Sequence, residues 1–183
     1  MDRNARENTK TILFALGVIA VAIVVLALVF GWSNVAAAKT ASGFVRRASV
    51  GNEFEIESSQ LALQKSQNDM IKQFAQRMID DHTKAGQDLT AVLASVPVKN
   101  TEASEPVLDR KHQNLLDKLG QSSGSDFDKL YVKDQVRAHD DAVNLFKNYA
   151  HDGDNEGLKN FASRTLPTLQ SHQEEINQIN MSL

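Results

Sequence analysis

Four ionisable side chains fall on the apolar faces of predicted helices. At 100° per residue, Glu55 lies between Gly51, Ser58 and Ala62, and each of the three histidines His82, His139 and His172 aligns with an apolar residue three or four positions away. Each predicted long helix offers one of them, and a rise of 1.5 Å per residue from the predicted turns puts all four near the middle of a bundle. Carboxylates and imidazoles that project inward from facing helices form the metal sites of helix bundles. The spacing therefore predicts a metal site.

The residue types limit which ion such a site would hold. Imidazole and carboxylate ligands suit a transition metal, namely iron, zinc, manganese or copper. Asp81 and Asp141 lie close to two of the histidines in the sequence, so either carboxylate is a candidate to orient a metal-bound imidazole from behind. The Glu-x-x-His pattern of di-iron bundles is absent at both His82 and His172.

A structural interpretation of the same residues stays open. Buried histidines can be satisfied by hydrogen bonds to Glu55, to Asp81 and to the backbone carbonyl that Pro167 leaves without a donor. In that interpretation the chain is a structural or interaction bundle whose histidines make its stability depend on pH. Ser-His-Asp or paired-carboxylate catalysis needs a cleft that the pattern does not indicate, and no P-loop or nucleophile elbow is present. An enzyme is therefore not predicted, and a ferritin-like oxidase is only a further alternative.

Helical periodicity predicts the elements that would position these residues. The expected fold is all-α: a ferritin-like four-helix bundle with a short crossover helix, preceded by one transmembrane helix. Only Ser66 and Gln67 separate the first two long helices, which makes them an antiparallel hairpin. Ser125 is the predicted N-cap of the third, and Pro167 predicts a kink in the fourth. The long helices are expected at about 42–65, 68–96, 125–150 and 155–180, and the short one from Pro106 to Gly120.

Composition excludes several classes of protein. Residues 39–183 carry 17 Lys and Arg against 21 Asp and Glu, so this part has a net charge of −4. Binding to duplex nucleic acid depends largely on neutralising phosphates, and an acidic domain does not supply that charge. The absence of cysteine from the sequence excludes disulfides, zinc-thiolate sites and thiol catalysis. No nucleic-acid partner is predicted.

An uncharged run of 22 residues extends from Thr11 to Trp32. About 20 apolar residues cross a bilayer, so the run predicts a membrane-spanning signal anchor. Alternatively, Ala36, Ala37 and Ala38 resemble a cleavage site, and a signal peptide would be removed after residue 38. We expect a tail (1–10), the anchor (11–32), a linker (33–41) and the bundle domain (42–181). A short tail before a single span favours an inner-membrane anchor with the domain in the periplasm; after cleavage the domain would be released there.

Five segments of the sequence also resemble a known bacterial family in order. They are FEIESSQLALQKSQN (54–68), IKQFAQRMIDDHTKA (71–85), LDRKHQNLLDKL (108–119), FDKLYVKDQVRAHDDAVNLF (127–146) and LKNFASRTLPTLQSHQEEI (158–176). This family is the domain of unknown function 4142, whose members are often labelled outer-membrane proteins.

The resemblance implies an exported, ferritin-like helical bundle and places Glu55, Asp81, His82, His139 and His172 among the family's recurring polar positions. It implies no activity. An outer-membrane label does not suit the long apolar helix predicted here, because outer-membrane spans are barrels. Together the residues and the resemblance predict a membrane-tethered extracytoplasmic bundle that serves as a metal-binding or envelope-stress module.

Overall fold

Five helices make up the part of the chain that this computed structural model describes, which is residues 39–96, 98 and 108–183. No strand occurs in these ranges, which confirms the prediction of an all-α domain. The predicted transmembrane run at 11–32 and the possible cleavage site at Ala38 lie outside the described residues. Within those ranges, no helix combines the length and apolar character needed to cross a bilayer. The helices are α1 (Ala41–Lys65), α2 (Asp69–Ser95), α3 (Arg110–Gln121), α4 (Gly124–Asp152) and α5 (Glu156–Ser182).

Short polar side chains fix the starts of four of these helices. Thr40, Asn68, Asp109 and Asn155 each accept a hydrogen bond from a backbone N–H in the first turn of the helix that follows. Such bonds satisfy donors that a helix start otherwise leaves without partners. The short helix α3 thus begins at Arg110 rather than near Pro106, which lies outside the described residues.

The start of α4 differs from the prediction. Ser125 is not its N-cap: the cap position is Ser123, whose side chain makes no capping hydrogen bond, and the helix begins at Gly124. Gly124 has a φ of +56°, a conformation that glycine adopts without steric cost. This left-handed residue lets the chain turn tightly after α3. The helix therefore begins one residue before Ser125.

The four long helices pack as two antiparallel hairpins. α1 lies against α2, and α4 lies against α5, through the most extensive contacts in the described part. The hairpins join through α1 against α4 and α2 against α5, while α3 covers one end of α1 and α4. An ion pair between Arg77 and Glu175 and a hydrogen bond between Asp81 and His172 show that α2 and α5 are antiparallel. The arrangement brings α2, α4 and α5 around a common axis.

The apolar core is divided into two clusters along this axis. One cluster contains Phe74, Met78 and Ile176, and the other contains Phe44 and Leu169. His172 lies between Leu169 and Ile176 on α5, so it occupies the level at which the two clusters separate. A layer of buried polar side chains therefore interrupts the core at mid-bundle.

Helix α5 continues through Pro167 without an interruption. Proline has no N–H to donate to the carbonyl four residues earlier. The structural interpretation assigned that carbonyl to a histidine, but the three central histidines use other partners. Pro167 thus does not contribute to the polar layer through that carbonyl.

Candidate metal centre

Three histidines from three different helices meet in the polar layer. His82 of α2, His139 of α4 and His172 of α5 each offer a ring nitrogen, and these nitrogens all lie within 4.8 Å of one another. The ring centroids are 5.6–6.0 Å apart. The residues are only 6%, 1% and 2% exposed, respectively. Sequence periodicity predicted that these three residues would share one level, and the structure brings them together.

His82 and His139 each have one ring nitrogen fixed by a neutral acceptor. His82 Nδ1 lies 3.1 Å from the side-chain oxygen of Asn52 on α1. His139 Nδ1 lies 3.0 Å from the backbone carbonyl of Gln135, one turn earlier on α4. Because both partners are oxygens that accept, Nδ1 is the protonated nitrogen in each ring. The lone pair is then on Nε2, and neither Nε2 has a hydrogen-bond partner among the described residues.

His172 is fixed in the opposite orientation. Its Nε2 donates to Oδ2 of Asp81 at 2.9 Å, so its lone pair is on Nδ1. This Nδ1 is also buried and has no hydrogen-bond partner within residues 39–96 and 108–183. Asp81 therefore orients an imidazole from behind, as the sequence predicted for it.

The three unpartnered nitrogens form a donor set that suits a metal ion. Each is the deprotonated nitrogen of a ring whose other nitrogen is held by an acceptor, the arrangement that fixes tautomer and orientation in metal-bound histidines. Metal–nitrogen bonds of about 2.0–2.1 Å place ligand nitrogens roughly 3.5 Å apart. The histidine nitrogens lie up to 4.8 Å apart, so the rings would need to approach one another by up to about 1.3 Å, which small side-chain rotations supply. The residues present therefore fit a metal ion.

Burial keeps two of these rings neutral. Desolvation lowers the pKa of His82 well below its usual 6.5, and the electrostatic effect of the nearby His139 and His172 rings lowers it further. Burial also lowers the pKa of His172, although the carboxylate of Asp81 acts in the opposite direction. A neutral imidazole is the form that binds metal, so no proton has to be displaced from these rings at neutral pH.

Glu55, the fourth predicted ligand, is not part of the histidine group. Its Oε1 lies 3.8 Å from His139 Nδ1, the nitrogen that bonds to the Gln135 carbonyl and not the unpartnered Nε2. The carboxyl is buried, and desolvation raises its pKa against the opposing effects of His139 and Gln135. Its helical phase is inward as predicted, but the residue lies behind the His139 ring because α1 packs against the outer side of that ring.

Asp141 does not lie behind a histidine. Its carboxylate is 70% exposed and lies 3.7 Å from Lys111 Nζ, so it forms a surface ion pair with α3. The residue that supports His82 is instead Asn52, which the sequence analysis did not select. An asparagine in a helix that contains both polar and apolar residues does not by itself indicate a binding site. The one sequence feature that could have pointed to Asn52 is its position one helical turn before Glu55.

The two remaining histidines lie away from this group. The short helix α3 carries His112, and its position beside Arg110 and Lys111 in the sequence suggests a solvated side chain; in the structure that side chain is only 19% exposed, bonds to Asp109 and lies 5.2 Å from the Phe54 ring. Its helix packs on the end of the bundle, which covers the imidazole. His151 is 87% exposed near the end of α4.

Two solved structures of the protein CopM are similar to this fold, one in a Cu(II)-bound form and one in an Ag-bound form. Each is 16% identical to this chain with a TM-score of 0.60. The match covers 78% of this chain and 97% and 96% of the CopM chains. At this identity the likeness shows a shared fold. A comparison with curated proteins gives no match.

The model of one protein family matches residues 32–179, which include all five helices except the last residues of α5. The matched span also contains each of the five segments that carried the resemblance. This chain therefore belongs to the family described as a domain of unknown function, DUF4142.

Proposed function

We propose that this protein is a metal-binding helical module that holds one transition-metal ion between His82, His139 and His172. The observation that carries the proposal is a group of three buried histidines from three helices, each of which has one unpartnered ring nitrogen and a ring nitrogen within 4.8 Å of the other two residues. A buried acceptor without a partner costs about 1–3 kcal/mol, so three of them at one level need an explanation. A bound ion satisfies all three at once.

Copper is the ion that the donor set favours. Iron and manganese sites use carboxylates and water, whereas the three candidate ligands here are all imidazoles. Among divalent first-row metals, nitrogen ligands bind copper most tightly. The Cu(II)- and Ag-bound states of CopM, which shares the fold, support the same choice. Zinc also accepts three histidines, and it is therefore the competitor to include in any test.

The location of the module is part of the proposal. The uncharged run from Thr11 to Trp32 has the length of a bilayer span, and the acidic helical domain follows it after a short linker. We propose a periplasmic domain that the run either anchors to the inner membrane or, after cleavage behind Ala38, releases. A module in this place would meet metal ions as they enter the cell envelope.

The direct test is a metal titration of the untagged full-length chain. Cu(II) is added in competition with a chelator, and bound metal is quantified after gel filtration. We expect one equivalent of copper per chain, and loss of that equivalent in both His139→Ala and His172→Ala, because two ligands hold a buried ion far more weakly than three. Helical circular dichroism of each variant shows whether it is folded.

His112→Ala and His151→Ala are the matched controls, since they remove the same side chain outside the group. Both should retain one equivalent of copper. If the folded parent protein binds no copper, or if copper binding is unchanged in His139→Ala and His172→Ala, the proposal is wrong and the structural interpretation of the histidines is the better one. If zinc displaces copper at equal concentration, the ion that the site prefers is zinc rather than copper.

Gly86 gives a second prediction, because this glycine leaves space for the residue that supports His82. A Cβ added at Gly86 would lie 3.2 Å from Asn52 Nδ2, which is closer than ordinary contact. Gly86→Ala should favour the helix by about 0.5–1 kcal/mol, yet displace Asn52 by a few tenths of an ångström from His82 Nδ1. We expect a melting temperature equal to or above that of the parent, and copper affinity roughly tenfold lower.

Gly51→Ala is the control for Gly86→Ala. Gly51 also lies inside a long helix, but an added Cβ there would have nothing within 4 Å. It should therefore stabilise the helix and leave copper affinity unchanged. Equal affinities in the two alanine variants would show that the position of Asn52 does not matter to the metal.

A further inference from the structure

The carboxylate of Asp81 connects the buried histidines with solvent. Its Oδ2 accepts the hydrogen bond from His172 Nε2, while 41% of its side chain is exposed. The His172 side chain itself is only 2% exposed. The Asp81 carboxylate thus contacts solvent and, at the same time, the candidate metal ligand His172.

The partners of the other two histidines lack this combination. Asn52 Oδ1 and the Gln135 carbonyl, which hold His82 and His139, are neutral groups. Glu55 is a carboxyl near His139, but it is only 5% exposed. Within the described ranges, Asp81 is therefore the carboxylate that reaches both water and the histidine group.

Neighbouring cations are engaged with other carboxylates. Arg77, one turn before Asp81, pairs with Glu175 on α5. Lys84, on the following turn, pairs with Asp88. In the described part, Asp81 pairs with His172 and with no lysine or arginine; Arg77 is near enough to act on His172, but its own ion pair is with Glu175. The carboxylate is accordingly available to attract a cation from solvent.

We infer that a copper ion enters the site past Asp81 and His172, along the seam between α2 and α5. This inference rests on the proposed function and adds the route to it. The charge on Asp81 concentrates the cation at the seam, because a single carboxylate about 4 Å away favours a divalent cation in water by a factor of about 30.

His172 is the ligand whose movement opens the site along this route. Its fixed nitrogen bonds to a half-exposed side chain that water can replace, whereas His139 bonds to the backbone of its own helix and His82 to an amide of a facing helix. The ring can rotate away from Asp81 to admit the ion and return to bind it through Nδ1. Nε2 keeps its proton throughout, so entry by this route transfers no proton.

The test separates association from dissociation in the full-length, untagged chain. Stopped-flow quenching of intrinsic fluorescence by Cu(II) gives the association rate at several salt concentrations, and competition with a chelator gives the dissociation rate. Asp81→Asn keeps an oxygen that accepts from His172 Nε2 but removes the charge. We expect its association rate at low salt to fall by up to about thirtyfold, with a weaker salt dependence and a smaller change in dissociation.

Asp80→Asn is the matched control, because it removes the same charge from the adjacent, outward-facing residue, which bonds to Gln76. It should associate at nearly the parent rate, and Asp81→Glu should recover most of the loss. An association rate in Asp81→Asn equal to that of the parent, or an equal loss in Asp80→Asn, overturns the route while leaving copper binding intact. If the parent protein binds no copper at all, the proposed function fails first and the route with it.

Discussion

Replacing His82, His139 and His172 together with leucine is expected to stabilise the metal-free chain by about 3 kcal/mol at pH 7 and to abolish copper binding. Each substitution removes a buried nitrogen that has no partner in the described structure, and each such atom costs about 1–3 kcal/mol. Leucine also joins the two apolar clusters that flank the histidine layer. Urea unfolding in the presence of EDTA measures the change.

The groups that lose a histidine partner in this variant have other ways to be satisfied. Asp81 and Asn52 are partly exposed and can bond to water, and the Gln135 carbonyl still accepts from its own helix. We therefore expect about 1 kcal/mol of net gain per site rather than the full cost of an unpartnered atom.

His151→Leu is the control for this prediction, because His151 is 87% exposed and its replacement should change stability by less than about 0.5 kcal/mol. A triple variant that is less stable than the parent would show that the histidines contribute to the fold. Such a result would favour the structural interpretation of the polar layer over the metal-binding one.

The metal-free parent chain is expected to lose stability as the pH falls below about 6.5. Folding lowers the pKa of His82 and of His172 from 6.5, so below this pH the unfolded chain takes up protons that the folded chain does not. Their contribution is fully present above 6.5 and is lost as the pH falls toward the lowered values. The slope reaches about 1.4 kcal/mol per pH unit for each histidine.

Glu55 acts in the opposite direction, in the range between its usual pKa of 4.5 and its raised pKa. Its folded pKa is raised above 4.5, so the folded chain takes up a proton as the pH falls through the raised value, and stability is gained. Urea midpoints measured from pH 7.5 down to pH 4.5 should therefore fall less steeply overall in the parent than in Glu55→Gln. The triple leucine variant lacks these histidines, so their contribution to the change of the urea midpoint with pH should be absent. A parent protein whose midpoint does not change between pH 7.5 and 5.5, together with an unchanged Glu55→Gln, would contradict the assigned shifts.

Sequence periodicity was sufficient to predict the helices and the three histidines, for a physical reason. Helical phase fixes which side chains point inward, and the tight turn at Ser66 and Gln67 fixes the level of His82 relative to α1. The same argument placed Glu55 inward and at mid-bundle, which the structure bears out. What phase does not specify is the side of an imidazole on which a neighbour lies.

The parts of the site that were not predicted depend on contacts between helices. Asn52 meets His82 because Gly86 leaves space for its amide, and neither fact can be deduced from one helix alone. Asp81 and Asp141 each lie within two residues of a histidine in the sequence. The packing of α2 against α5 places Asp81 against the His172 ring, whereas Asp141 pairs with Lys111 on the surface. Side-chain pairing across helices is set by crossing geometry, which a single sequence does not reveal.

The three histidines lie in both hairpins, with His82 in the first and His139 and His172 in the second. An ion bound to all three would act as a reversible cross-link between the two halves of a chain that contains no cysteine. Opening the hairpins would break the cross-link, and unfolding would scatter the ligands along the chain. Resistance to proteases would then rise with the concentration of free ion, and degradation of the protein would return its ion to the surroundings.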